Sequence, residues 1–180
     1  MKNAWLSPSE ALNRPFTRQA DDFTIHEFHA EVTRRLGFRI GNIGLLIAPR
    51  ATSELTELLS VCPIPNTASW LCGLINLRGN LVPVFDLHKL LDLDSDESGV
   101  KAVKKPMLLI LGQGETAGAI KIDNLPIHIN LTLGDSLESL PPLPDALKPY
   151  ATSGYEKNDD IWFNFDHFGF FHSLSSKIAI

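Results

Sequence analysis

The fold is decided by residues 70–87, WLCGLINLRGNLVPVFDL. The stretch contains two runs rich in Val, Ile and Leu, and such runs bounded by turn residues are typical of buried β-strands. Between them lies Asn76-Leu77-Arg78-Gly79-Asn80, where we expect a tight turn because Gly79 and Asn80 both tolerate positive φ. The pattern therefore predicts two strands that fold back on each other.

Arg78 is the charged residue between these two apolar runs. An arginine placed between core strands must reach solvent or pair with a carboxylate, since an unpaired buried charge is costly. No catalytic arrangement of residues surrounds it. We therefore interpret the stretch as a scaffold signature and not as an active site.

From Gly37 onwards the chain alternates between short apolar runs and turn residues, which is typical of small barrels or a sandwich. The pattern of residues 53–56 is compatible with either a helix or a strand. Residues 140–149 are rich in proline and predict a loop, with a short helix possible at 145–147. The predicted elements are a hairpin turning at Gly41-Asn42, a second hairpin formed by 107–111 and 117–122, strands at 127–133 and 161–165, and a C-terminal helix capped by Asp166.

Residues 7–36 follow a helical pattern instead. Ser7-Pro8-Ser9-Glu10 has the form of a capping box with proline at the first helical position. A second helix is predicted from about Asp21 to Arg35, because Phe23, Phe28 and Val32 fall on one side. Such an arm would cover part of the barrel surface or form a second partner contact.

The length and composition of the chain predict one domain, or two small lobes that share a core. The chain has 180 residues, 44% of them hydrophobic and 21% charged, and a formal net charge of −5. This charge does not attract nucleic acid or anionic lipid. Two cysteines cannot build a disulfide framework, and no stretch has the ~18 apolar residues of a membrane span. We expect a cytoplasmic protein without direct membrane insertion.

Candidate catalytic and metal motifs fail on spacing. His26 and His29 are three residues apart, whereas the zinc-protease helix needs four. The acidic run from Asp92 lacks the glycine and glutamate of a calcium loop. The glycines at 112–118 lack the spacing and the following helix of a dinucleotide site. We therefore expect no metal, no cofactor and no enzymatic activity.

Residues 70–87 also resemble the segment by which CheW-like coupling domains are recognised, roughly W..G..NLRG...P..DL. Glu57-Leu58-Leu59 upstream and Gly118–Leu125 downstream match further motifs of the family in the same order. The resemblance covers about residues 34–180, which divides the chain into an arm of residues 1–33 and a CheW-like domain of residues 34–180. Within the family, Leu140–Pro149 looks most like PilI-type proteins of the type IV pilus chemosensory system.

The resemblance implies a mainly β fold of two small five-stranded barrels, SH3-like, that share a hydrophobic seam. An N-terminal helical arm and a short C-terminal helix would complete it. The implied function is a non-enzymatic adaptor that couples the cytoplasmic tip of a methyl-accepting chemoreceptor to the regulatory domain of a CheA-type histidine kinase. In the PilI-like case the array would control pilus-driven twitching motility.

The candidate site residues follow from this resemblance. Arg78 would pair with Glu57 and support the partner-binding surface, or contact a partner directly, since arginine is enriched in interface hot spots. A receptor helix in the groove between the lobes would contact aliphatic side chains. The candidates near the motif edges, each of which would otherwise belong to the core, are Leu58, Val61, Ile64 and Val82.

Two other classes of function fit the sequence less well. A small barrel that binds single-stranded nucleic acid needs a basic groove with aromatic platforms. The aromatic residues near the C-terminus, from Trp162 to Phe171, lie among acidic residues, which favours a core strand and a packed helix. A hydrolase built on Asp86, Asp123 and a histidine has no support beyond composition.

Overall fold

The computed structural model describes residues 32–57, 60–93 and 107–178. The parts of the predicted helices before residue 32 lie outside the described residues, as do residues 94–106. The described elements are β1 Thr33–Ile40, β2 Ile43–Ile47, β3 Ser53–Glu57, β4 Leu71–Leu77, β5 Asn80–Phe85, α1 Leu87–Leu90, β6 Met107–Leu111, β7 Gly118–Ile122, β8 Ile127–Leu131, β9 Gly154–Lys157, β10 Asp160–Phe165 and α2 His167–Ile178.

The first sheet has the strand order β8-β1-β2-β10-β9. Its β1–β2 hairpin closes with Ile40 opposite Ile43, and Gly41 has φ 55°, so the turn predicted at Gly41-Asn42 is confirmed. Strands β2 and β10 run parallel, whereas the other neighbours are antiparallel. The sheet thus joins both ends of the described chain.

The second sheet has the order β3-β6-β7-β5-β4 and contains the hairpin of residues 70–87. Arg78 and Gly79 occupy the turn with φ 53° and 90°, as a turn with two positive φ angles requires. Asn80 already pairs with Leu77 as the first residue of β5, so the turn lies one residue earlier than predicted. The Asn76 Oδ1 atom accepts a hydrogen bond of 2.8 Å from the Gly79 N–H.

Helix α2 and both sheets share one apolar core. The helix begins after Asp166, whose Oδ1 accepts a hydrogen bond from the Gly169 N–H at 3.1 Å, so the predicted cap is confirmed. The Phe171 ring stacks on Phe85 of the second sheet at a centroid distance of 5.3 Å, while Phe170 meets Phe165 of the first sheet, also at 5.3 Å. This shared core is the predicted hydrophobic seam, and the mainly β fold with two five-stranded sheets is confirmed.

Two local predictions need correction, and one strand was missed. The helix predicted to end at Arg35 is wrong at its end, because Thr33–Gly37 pair with Ile127–Leu131 as part of β1. The short helix expected at 145–147 is replaced by a 3₁₀ turn at Lys148–Tyr150. Strand β9 was not predicted. None of the helices in the described ranges is long and apolar enough to cross a membrane.

Candidate partner-binding site

Arg78 stands at the tip of the β4–β5 hairpin with 75% of its side chain exposed. Its Nη2 atom lies 2.9 Å from the Glu54 Oε1 atom on β3, so an ion pair links the hairpin to the opposite edge strand of the second sheet. An exposed pair of this kind contributes little to stability. The guanidinium is therefore displayed at the surface and oriented by its partner.

The predicted pairing of Arg78 with Glu57 is wrong, because the carboxylate in contact is Glu54. The two glutamates are three residues apart on β3, and residues separated by an odd number point to opposite faces of a strand. Glu54 is half-buried on the side of the hairpin tip, whereas Glu57 is exposed at the other end of the strand. The correct strand was predicted, but its register was not.

The prediction that Val82 contacts a partner is also wrong, since its side chain is only 1% exposed and belongs to the core of the second sheet. It therefore cannot contact a partner. Side chains alternate along β5, and the preceding Leu81 is 67% exposed. Leu81 and Leu55 of β3, at 40%, are the exposed aliphatic residues of the two strands that carry the hairpin tip and Glu54.

Val61 and Ile64 are half-buried and pack against two different apolar clusters. Val61 packs against the cluster of the second sheet, and Ile64 packs against the shared core. Between them, Cys62 exchanges two backbone hydrogen bonds with Leu74 of β4, at 2.8 and 2.9 Å. Both residues therefore remain candidates for partner contact, while Leu58 lies outside the described residues.

Glycine at position 73 permits this arrangement. Gly73 has φ 138°, and a β-carbon there would lie 2.2 Å from the Cys62 carbonyl oxygen. The segment that carries Val61 and Ile64 can approach β4 only because position 73 has no side chain. The glycine of the W..G..NLRG pattern thus positions the candidate surface.

Polar side chains gather where β5 ends and α1 begins. Asp86, 5% exposed, caps α1 and lies 3.5 Å from the Lys121 Nζ atom, while His88 contacts Asp123. Burial, and secondarily the charge of Asp86, raises the pKa of the nearby Cys72 thiol. A raised pKa disfavours the thiolate, so Cys72 is not an activated nucleophile. We interpret the acidic residues here as a helix cap and ion-pair partners.

The described ranges also show no cluster of side chains that could form a metal site. Residues 32–57, 60–93 and 107–178 contain no group of three or more His, Cys, Asp or Glu side chains that is placed to hold a metal ion. His128 is exposed on β8. The pair His26 and His29 lies outside the described residues.

Asp135 anchors the loop that follows β8. Its Oδ2 atom accepts hydrogen bonds from the Thr132 N–H at 2.6 Å and the Thr132 hydroxyl at 2.8 Å, and Lys157 of β9 lies 3.0 Å away. The Thr132 backbone bond, followed by the contact with Lys157, lowers the pKa of the Asp135 carboxyl. The loop is thus fastened to the far edge of the first sheet.

Arg35 of β1 was missed by the sequence reasoning, which placed it at the end of a helix. The residue is 8% exposed, and its Nη2 atom donates to the Ile47 carbonyl at 2.9 Å and the Asn164 Oδ1 at 3.1 Å. Both acceptors are neutral, and burial lowers the pKa of the guanidinium. Two adjacent arginines before an alternating apolar strand are a weak signal, and only the register of β1 shows which of them is buried.

Comparison with known proteins agrees with this architecture. The Helicobacter pylori protein "Chemotaxis protein CheW" is 26% identical over 156 residues, which cover 84% of this chain and 90% of that protein. A Thermotoga maritima protein of the same name is 29% identical over 82 residues, or 46% of this chain and about half (48%) of that relative. The crystal structure of scaffolding protein TtCheW from Thermoanaerobacter tengcongensis superimposes with a TM-score of 0.60 at 20% identity, covering 78% of this chain and 88% of that one.

The family assignment rests on the span of a single match. The profile of the CheW-like domain matches residues 34–174, which include the hairpin of residues 70–87 and both sheets. The chain belongs to the CheW-like domain family.

Proposed function

We propose that this protein is a non-enzymatic adaptor that couples chemoreceptors to a CheA-type histidine kinase. The observation that carries the proposal is the match of residues 34–174 to the CheW-like domain. It is supported by the relatives named chemotaxis protein CheW, one of which aligns with 84% of the chain. The proposed role places the protein in the cytoplasm, beside the receptor tips and the kinase.

The hairpin tip is the proposed contact for the kinase regulatory domain. Arg78 is exposed and held by Glu54, and Leu81, near the start of β5 after the hairpin tip, is an exposed aliphatic residue. Arginine is among the residue types that are enriched in interface hot spots. The paired carboxylate limits the orientations of the guanidinium before binding, which reduces the entropy lost on association.

The receptor is proposed to bind at the seam between the two sheets. Ile64 packs against the shared core there without being fully buried, Val61 packs against the neighbouring cluster of the second sheet, and Leu58 precedes both in the chain. A helical receptor tip would place its apolar face against such side chains. The ligand proposed for this groove is the cytoplasmic tip of a methyl-accepting chemoreceptor.

Titration against the purified regulatory domain of the CheA-type kinase from the same genome tests the first contact. We expect Arg78→Ala to weaken binding by about tenfold or more, as truncation of a hot spot does. Lys177→Ala, an exposed cation on α2, is the matched control and should leave Kd unchanged. An unchanged Kd in a fully folded Arg78→Ala protein would remove the hairpin tip from the interface.

The receptor contact needs a separate titration with a receptor-tip fragment. Ile64→Asp places a charge at the seam, and we expect it to reduce receptor affinity while the kinase affinity remains. If receptor binding is unchanged in the folded variant, Ile64 is not part of the groove contact.

The pathway that we propose is the type IV pilus system. The support is the PilI-like proline-rich segment at 140–149, whose Leu143 and Leu147 are buried. Deletion of the gene should abolish twitching motility and leave flagellar swimming intact. Loss of swimming with normal twitching would assign the protein to a flagellar pathway.

The nucleic-acid alternative is not supported. The aromatic residues that would have to stack on bases lie in the core, with Trp162, Phe163, Phe165, Phe170 and Phe171 all at most 5% exposed. Phe168, at 56%, is the exposed aromatic residue of this group.

A further inference from the structure

Arg35 lines two adjoining clefts that the proposed function does not use. The first, which we call the Arg50 cleft, has a volume of about 400 Å³, and the polar residues that define it are Arg34, Arg35, Arg50, Ser53 and His128. The second, which we call the Asp166 cleft, has a volume of about 480 Å³ and is lined by Arg35, Asn164 and Asp166. Ala48 and Pro49 line both, so the clefts meet along the segment that follows β2.

The two clefts differ in charge. Three arginines line the Arg50 cleft, and no carboxylate is among the described residues that line it. In the Asp166 cleft the single arginine faces a carboxylate. Asp166 forms no ion pair with Arg35, and its Oδ1 atom accepts the hydrogen bond from the Gly169 N–H that caps α2. The positive charge is therefore concentrated on the side of Arg50.

The Arg35 guanidinium has donors that nothing in the described protein accepts. An arginine carries five N–H donors. The Nη2 atom donates to the Ile47 carbonyl at 2.9 Å and to the Asn164 Oδ1 at 3.1 Å. The Nε atom is buried without a partner, and Nη1 has no acceptor in residues 32–57, 60–93 and 107–178. Because Nη1 is not one of the atoms that are both buried and unpartnered, it is the part of the guanidinium that reaches the clefts.

This environment favours an anion with more than one negative charge. Arg35 is only 8% exposed and its acceptors are neutral, so an anion at Nη1 would offset part of its desolvation cost. A phosphate group carries up to two negative charges at neutral pH and accepts hydrogen bonds from several guanidinium groups at once, whereas a carboxylate carries one charge. Arg34, Arg50 and the Ser53 hydroxyl are exposed donors around the same cleft.

We propose that the Arg50 cleft binds the phosphate group of a small, freely diffusing ligand. Arg35 donates to the phosphate through Nη1 from the wall of the cleft, and Arg34 and Arg50 contact it from the exposed rim. The charge of Asp166 repels the anion from the neighbouring cleft. The proposal does not depend on the adaptor function.

Titration of the full-length protein with inorganic phosphate tests this site, followed by ¹H–¹⁵N spectra that include the arginine Nε–H signals. We expect a saturable shift of the Arg35 signal in the wild type. The test variant is Arg34→Gln/Arg50→Asn, in which asparagine is used at position 50 because that residue tolerates its φ of 66°. The variant should bind phosphate about tenfold more weakly, because it lacks two sets of charge-assisted hydrogen bonds.

The matched control is Lys89→Gln/Lys177→Gln, which removes two exposed cations outside the cleft and should leave the Kd for phosphate unchanged. Asp166→Asn keeps a side-chain oxygen for the cap of α2 but removes the opposing charge, and it should tighten binding by about twofold. If the cleft variant does not fold, Asp166→Asn alone must tighten binding.

The absence of a saturable shift at Arg35, or equal weakening in the cleft and control variants, would overturn the proposal. Binding to vesicles that contain phosphatidylglycerol without binding to free phosphate would also overturn it, since the phosphate would then belong to a lipid headgroup.

Discussion

Replacing Gly73 by alanine should destabilise the protein far more than the same change at Gly79, its exposed neighbour in the hairpin. The new β-carbon would lie 2.2 Å from the Cys62 carbonyl oxygen and 2.9 Å from the Pro63 Cα atom, both parts of the backbone. Neither can rotate away as a side chain does. The segment at 62–63 must therefore move from β4.

The loss of stability expected for Gly73→Ala has two parts. Movement breaks the two backbone hydrogen bonds between Cys62 and Leu74, each of which contributes about 0.5–1.5 kcal/mol. Alanine at a φ of 138° adds backbone strain of about 1–3 kcal/mol. We expect Gly73→Ala to lower the free energy of unfolding by about 2–6 kcal/mol.

Gly79→Ala is the matched control, because Gly79 has φ 90° but a β-carbon added there would meet no atom within 4 Å. Gly79→Ala therefore adds only backbone strain, which should lower the free energy of unfolding by about 1–3 kcal/mol. Urea unfolding followed by tryptophan fluorescence measures both variants. Equal losses in the two variants would refute the claim that close approach of the 62–63 segment requires glycine at position 73.

Three further predictions concern the polar groups. A double-mutant cycle on Arg78 and Glu54 should give a coupling of about 0.2–1 kcal/mol in urea unfolding, and zero coupling would contradict the ion pair. The native pKa of Asp135 is lowered, so the ionised carboxylate stabilises the fold above the pKa of the unfolded chain, and this stabilisation is lost as the pH falls through the lower native value. The difference in unfolding free energy between wild type and Asp135→Asn should therefore shrink over that acidic interval. A difference that stays constant with pH would refute this role of Asp135. At neutral pH the exposed Cys62 should react with iodoacetamide faster than Cys72, whose thiol has a raised pKa, and the reverse order in single-cysteine variants would be inconsistent with the structure.

Short-range signals predicted the hairpins and the start of the C-terminal helix, whereas the arrangement in two five-stranded units was implied by the family resemblance. Gly41-Asn42 and Gly79-Asn80 predicted hairpins because positive φ at a turn restricts the residue types, although the second turn lies one residue earlier, at Arg78-Gly79. Asp166 marks a helix start because its side chain accepts a backbone hydrogen bond. Both signals act within a few residues. They do not depend on the rest of the structure.

The incorrect predictions concern residues whose structure depends on pairing with strands that are distant in the sequence. Thr33–Arg35 continue a helical pattern, but pairing with β8, almost a hundred residues later, extends them instead. Glu54 rather than Glu57 meets Arg78 because sheet register decides which face of β3 points to the hairpin. Val82 is buried for the same reason, since a shift of one residue exchanges the two faces of a strand.

The most direct test of the account is reconstitution of receptor control over the kinase. Purified CheA-type kinase and receptor-tip fragments would be mixed with and without this protein, and kinase autophosphorylation measured. The account predicts that kinase activity depends on the receptor only when the protein is present, and that Arg78→Ala weakens this dependence while Lys177→Ala does not. Kinase activity that is indifferent to the protein, with both partners shown to be active, would contradict the adaptor function.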